Sequence, residues 1–187
     1  VECRWVVFLG DLTEVAELPA LSADDKQFLD SVINNFDEAA ASRIKAFEAT
    51  TNHDVKAVEY YLKQRFSERE TLAPLSEWIH FACTSEDINN TAYGLMVKAA
   101  TDEVLLPQMD ALIAEINALA VANAGRPMLS RTHGQTASPT TRGKELKNVA
   151  VRLQRQRGQL ADVQILGKFN GAVGNFNAHL SAYPKVD

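Results

Sequence analysis

The run TSEDINNTAYGLMVKAATDEVLLPQMDALIAEINALAVANAGRP, residues 84–127, decides the fold class. Thr84 followed by Asp87 sets a hydroxyl three residues before a carboxylate, the capping-box spacing that opens a helix. Behind it Ile88, Leu95, Met96 and Ala99, then Met109, Leu112, Ile113, Ile116, Leu119 and Ala120, recur at helical intervals. Pro107 either kinks this stretch or separates two helices, and Gly125 and Pro127 end it. No segment of the chain reads as a strand ladder and none repeats. The pattern predicts an all-α protein with unusually long helices.

Toward the N-terminus, Pro19 breaks the chain and Ser22 stands as an N-cap, with Asp24 and Asp25 in the first turn where the helix dipole favours them. Phe28, Leu29, Val32, Ile33 and Phe36 carry that helix to about Phe36. A second short helix follows from Asp37 to about Glu48, with Ile44 and Phe47 inward. TTNHDV, residues 50–55, is a polar joint in which Asn52 or Asp54 could cap a helix striped by Val55, Val58, Leu62 and Phe66. A short helical segment runs through Trp78, Ile79 and His80; Val1–Leu9 is apolar but too short to assign. Toward the C-terminus, SRTHGQTASPTT, residues 130–141, contains no apolar residue larger than Ala137 and is predicted to be a loop. Another helix is predicted from about Pro139 to Gly167, striped by Leu146, Val149, Leu153, Leu160 and Val163. The glycine- and asparagine-rich GKFNGAVGNFNAH, residues 167–179, comes last.

With 46% hydrophobic and 23% charged residues, the 187-residue chain has the makings of a buried core. A net charge of −5 without a Lys/Arg-rich run argues against nucleic acid as a partner. No uninterrupted apolar run approaches the roughly 18–20 residues of a membrane span, and no signal peptide is visible. Cys3 and Cys83 have no metal-ligand spacing, which argues against a disulfide framework or structural zinc and for a reducing cytosol. The chain starts at Val1 without methionine and stops mid-pattern after Tyr183, so it is read as part of a longer polypeptide with an incomplete site.

Three histidines, His53, His80 and His133, sit in polar clusters at predicted helix boundaries. Histidine is the side chain whose ordinary pKa lies near neutrality, so such clusters are candidate sites of proton transfer. His80, between Ile79 and Phe81, suits a structural role equally well, and His179 is assigned nothing. None of these pairs with another ligand in a recognised metal pattern, so no metal is expected. Thr84 and Ser85 at a helix start could offer hydroxyls and free amides to a carboxylate or phosphate, or could simply cap the helix. Lys168, Gly171 and Gly174 could let backbone approach a ligand closely.

TTNHDV (50–55), EWIHFACTSEDINN (77–90), LSRTHGQTASPTTRGKE (129–145) and KFNGAVGNFNAH (168–179), in this order, resemble the adenylosuccinate lyase family of the fumarase/aspartase superfamily. The likeness runs from about residue 40 onward. It implies a long-helix bundle of the fumarase/aspartase type, with an N-terminal helical domain over 1–82 and the start of the central bundle over 83–187. It also implies a β-elimination without cofactor or metal. Adenylosuccinate would give AMP and fumarate, and the succinyl-carboxamide ribotide of purine biosynthesis would be cleaved likewise. By this resemblance His133 is the general acid, Thr132 meets a substrate carboxylate, and Thr84 and Ser85 bind the succinyl portion. Asn52, His53, Asp54 and Gln135 contact substrate, and His80 and Lys168 have supporting roles. It further implies a cytoplasmic homotetramer whose active sites are shared between subunits. Two family features are missing here: the serine base on a loop with a Met-Pro-x-Lys-x-Asn run, and an N-terminal Arg-Tyr phosphate contact. Both read as truncation, and the fragment alone is expected to be inactive. The alternatives are another superfamily lyase, such as argininosuccinate lyase, which TTNHDV disfavours, and a non-catalytic helical assembly module.

Overall fold

The computed structural model describes residues 1–186, which fall into two compact units: Val1–Tyr93 with the stretch from Gly167 onward, and Gly94–Leu166.

The first unit is built on helices α1 (Glu2–Asp11), α2 (Ala23–Asn34), α3 (Glu38–Thr51) and α4 (Asp54–Phe66). A 3₁₀ turn, Ala73–Trp78, leads to the start of α5 (Ser85–Ala100). The stretch the sequence left unassigned is α1: Cys3, Val6, Leu9 and Gly10 recur on one face, and all four are buried. Capping sets the next two starts, at Ser22 as predicted and at Asp37, which caps α3 rather than beginning it. Ser22 Oγ accepts the Asp25 amide at 3.1 Å, and Asp37 Oδ1 accepts the Ala40 amide at 2.8 Å. Val6, Leu29, Val32, Leu62, Phe66 and Leu72 close over one another as the core. Residues after Gly167 join this core. Phe169 packs 4.8 Å from the Trp5 ring, and Tyr183 donates to Glu17 at 2.8 Å.

In the second unit α6 (Leu106–Ala122) and α7 (Arg142–Ala161) run antiparallel. Lys147 donates to Asn117 at 2.7 Å, and Arg157 forks onto Asp110 with two bonds of 2.8 Å. The buried residues of this pair are Leu106, Ile113 and Ala120 on α6 and Gly143 and Ala150 on α7, with the small ones Ala120 and Gly143 meeting near the hairpin. The predicted α7 stripe is only partly right: Val149 lies exposed on the helix, and α7 ends at Ala161 rather than Gly167, so Val163 falls beyond it and is exposed too. Pro107 causes no break. A π-helical turn, Thr101–Leu105, lies just before Pro107 and accommodates its missing N–H within the helix. Helix is then continuous over Ser85–Ala122, 38 residues, with an 18-residue window of mean hydropathy 1.5. By length and composition alone this helix is long and apolar enough to cross a membrane.

The stretch predicted as a loop forms an antiparallel hairpin, β1 (Pro127–Thr132) and β2 (Gln135–Thr141). Helix α7 accordingly starts at Arg142 rather than Pro139. The fold class stands, since this two-stranded ribbon is the only sheet among the described residues.

Candidate active site

Asn52, His53 and Asp54 form the joint between α3 and α4. Asn52 closes α3 in the left-handed region, at φ 51°, where its amide donates to Glu48 O at 2.8 Å. Asparagine adopts that conformation more readily than most residues. The sequence left Asn52 or Asp54 as the cap of α4. His53 takes the position instead, its Nδ1 accepting the Lys56 amide at 3.3 Å.

A ring nitrogen that accepts an N–H carries no proton of its own, so neutral His53 holds its proton on Nε2. Nε2 faces Ser85 Oγ at 3.4 Å. His53, Asp54 and Ser85 look like a nucleophilic triad but lack its proton path. Nδ1 lies 3.3 Å from Asp54 Oδ1 with no hydrogen to share, and Nε2 donates where a base would accept. Nothing here activates Ser85 as a nucleophile. Asp54 is otherwise engaged: Oδ1 takes the Val55 amide at 2.8 Å and Oδ2 takes Asn89 Nδ2 at 3.3 Å. The Val55 bond is the main influence holding its carboxyl below the usual range.

Thr84 and Ser85 open α5. The carboxylate half of the capping box forms, with Asp87 Oδ2 accepting the Thr84 amide at 3.0 Å. Neighbouring Cys83 is no nucleophile, because burial pushes its thiol up to about 12. His80, at φ 65°, and Ala82, at φ 60°, are both left-handed, so the chain turns sharply before α5. His80 Nδ1 pairs with the buried Glu2 Oε1 at 2.8 Å. Lys168 points inward, donating to Asp87 Oδ1 and Gly171 O, each at 2.6 Å. Its ammonium is committed within the protein, and the Gly171 amide is spent on Asp87 at 3.1 Å.

The His80 pair makes stability depend on pH. The Glu2 hydrogen bond raises the His80 pKa above 6.5, partial burial opposes it, and Glu59 and Lys56 nearby act in opposite senses. A raised folded-state pKa adds stability that is complete below about pH 6.5 and is lost as pH climbs through the folded value. The melting temperature is therefore expected to fall between about pH 6 and pH 9 more steeply in wild type than in His80→Gln. Parallel profiles would refute it.

Thr132, His133 and Gln135 belong to the second unit. Thr132 pairs with Gln135, leaving His133 and Gly134 as the two central residues of the turn. Their φ values of 49° and 75° are the signature of a type I′ turn, the tightest hairpin connection. The register slips by one residue between Leu129 and Arg131, a bulge that twists the ribbon below the turn. His133 stands exposed at the tip. Of five left-handed residues other than glycine among those described, Asn52, His80 and His133 are candidates read from the sequence. Such backbone strain concentrates at functional sites.

Known proteins match this chain in sequence and in fold. The chain belongs to the lyase family whose model matches residues 9–186. It is 58% identical over all 187 residues to the adenylosuccinate lyase of Vibrio cholerae, and 56% identical to those of Haemophilus influenzae and Escherichia coli K12. The chain spans 41% of the length of each of these relatives. Among solved structures, fumarate lyase from Mesorhizobium sp. BNC1 superposes with a TM-score of 0.72 at 19% identity, covering 97% of this chain and 41% of that one. The 3-carboxy-cis,cis-muconate lactonizing enzyme of Pseudomonas putida gives 0.69 at 22% identity, over 97% and 39%. At these identities the structures show the fold alone.

Two contributors were missed in the sequence. The sequence marks Asp87 only as a cap, because its partner Lys168 lies 81 positions away. Glu2, the partner of His80, carried no local signal at all.

Proposed function

We propose that the protein carrying this chain is an adenylosuccinate lyase, eliminating fumarate from adenylosuccinate to leave AMP, and from the succinyl-carboxamide ribotide of purine biosynthesis. The observation that carries this is the 58% identity to the Vibrio cholerae enzyme, unbroken across the whole chain. In the reaction a base takes a proton from the carbon beside a carboxylate, the C–N bond breaks as the C=C bond forms, and an acid protonates the departing nitrogen. His133 is the acid: exposed at a rigid turn, it can be brought against a leaving group. Thr84 and Ser85 hold the succinyl portion at the start of α5, where free amides and the helix dipole favour a carboxylate. Asn52, His53, Asp54, Thr132 and Gln135 contact the substrate, and His53 offers it a donor from Nε2. No serine-bearing Met-Pro-x-Lys-x-Asn run occurs in this sequence, so the base comes from elsewhere in the protein.

The protein works in the cytoplasm as a homotetramer whose subunits share active sites. Exposed Leu95, Met96, Leu112, Leu119 and Val121 on the long helix support such assembly. The gene product mixed with adenylosuccinate is expected to consume it and release fumarate, followed by absorbance. A folded tetramer that leaves the substrate intact would favour a non-catalytic helical assembly module instead.

A further inference from the structure

The start of α5, which carries Thr84 and Ser85, is tied down by a side chain that never meets solvent. Asp87, in the first turn of α5, is wholly buried. A carboxylate persists there only if its charge and lone pairs are matched. Asp87 Oδ1 accepts Lys168 Nζ at 2.6 Å and the Asn170 amide at 3.2 Å. Oδ2 accepts the Thr84 amide at 3.0 Å and the Gly171 amide at 3.1 Å. Asn90, one turn further along, adds two more bonds: its Oδ1 accepts the Lys168 amide at 2.7 Å, and its Nδ2 donates to Lys168 O at 2.9 Å.

A helix cap needs only the Thr84 bond. Lys168 and Gly171 lie 81 and 84 positions away in sequence, so the remaining bonds form a long-range tie rather than a local motif. Burial alone would push the Asp87 carboxyl up. The Lys168 ammonium and the Thr84 and Asn170 amides outweigh burial and keep the carboxyl below the usual range.

We infer that Asp87 is a positioning residue: it binds the 168–171 loop to the first turn of α5 and so fixes the direction in which Thr84 and Ser85 meet a substrate carboxylate. It touches no reacting atom itself. The identity of the ligand rests on the lyase assignment above; the tie between loop and helix does not.

In the gene product, Asp87→Asn is expected to raise KM for adenylosuccinate about tenfold with kcat within about threefold, because contacts made equally to bound substrate and transition state are lost. Amide exchange at Asn170 and Gly171 is expected to quicken in the same variant. Lys168→Met strands the buried carboxylate and is expected to raise KM similarly. Joining the two substitutions should recover part of the loss, since removing a buried pair together is less damaging than leaving half of it. Asn90→Ala, at a half-buried position, is expected to raise KM about threefold and carries the test if Asp87→Asn does not fold.

A fall in kcat at unchanged KM would overturn the positioning role, as would exchange at Asn170 and Gly171 that matches wild type. If wild type itself releases no fumarate, the lyase assignment fails, and the exchange measurement alone then decides whether the tie exists.

Discussion

His133→Ala in the gene product is expected to lower kcat for fumarate release by about 10²–10⁴-fold while KM stays within about threefold, the pattern of a lost proton donor rather than lost binding. The tip of a type I′ turn is a demanding place for a side chain, because both central residues must hold positive φ, here 49° for His133 and 75° for Gly134. Alanine is poorly suited to that conformation, so part of its effect could come from a loosened turn. His133→Asn separates the two causes. Asparagine tolerates the left-handed region as well as any residue with a side chain, yet cannot hand over a proton near neutral pH. The β1–β2 pairing on either side is main-chain and survives both changes. Both variants should therefore lose turnover alike, with melting temperature close to wild type in the asparagine variant. Wild-type turnover in His133→Asn would remove His133 from the chemistry.

The parts of the fold that sequence revealed are those where side-chain pattern and structure share a cause. Ser22 is a short oxygen-bearing residue at a helix start, and it accepts the amide that its position predicts. The hairpin escaped because its signal is not a side-chain pattern. Neither face is buried well enough to impose alternation, so Ser130–Thr141 shows no apolar alternation. What directs it is the His133-Gly134 pair at positive φ, and a histidine there is a weaker turn signal than asparagine or aspartate. The site shows the same division. The polar clusters around His53, Thr84 and His133 stood out because polar residues gathered at helix ends have few structural reasons to be there. Which atom of each does what did not show. That His53 rather than Asn52 or Asp54 caps α4, and so fixes its own tautomer, follows from a 3.3 Å contact with the Lys56 amide that no spacing foretells. Asp87 and Lys168 were both in view, but 81 positions of chain separated them.

Gly143→Ala is expected to be the most disruptive single-methyl change in the second unit. A Cβ at Gly143 would lie 2.4 Å from Ala120 O, 2.6 Å from Ala124 Cα and 2.7 Å from Ala124 N. All three are backbone atoms, so no rotamer change relieves the clash and the helices themselves must part. They are tied at this point, with the Gly143 amide donating to Asn123 O and the Arg142 amide to Arg126 O, both at 3.0 Å. Parting them breaks those bonds and uncovers Ala120 and Ala150, so the cost should reach the top of the roughly 1–3 kcal/mol typical of overpacked sites or exceed it. Gly158 supplies the control within the same helix: a Cβ there meets nothing within 4 Å. Gly158→Ala should leave the melting temperature unchanged or raise it, alanine being preferred over glycine in a helix interior by about 1 kcal/mol. Thermal unfolding of the two variants side by side makes the comparison, and equal melting temperatures would refute it. The damage should also reach function. Strand β2 runs directly into α7 at Arg142, and β1 follows α6 by a short turn, so the gap between these helices sets the base from which the ribbon projects His133. Any Gly143→Ala protein that still folds should accordingly lose kcat, although residue 143 lies ten positions from the histidine and at the opposite end of the ribbon.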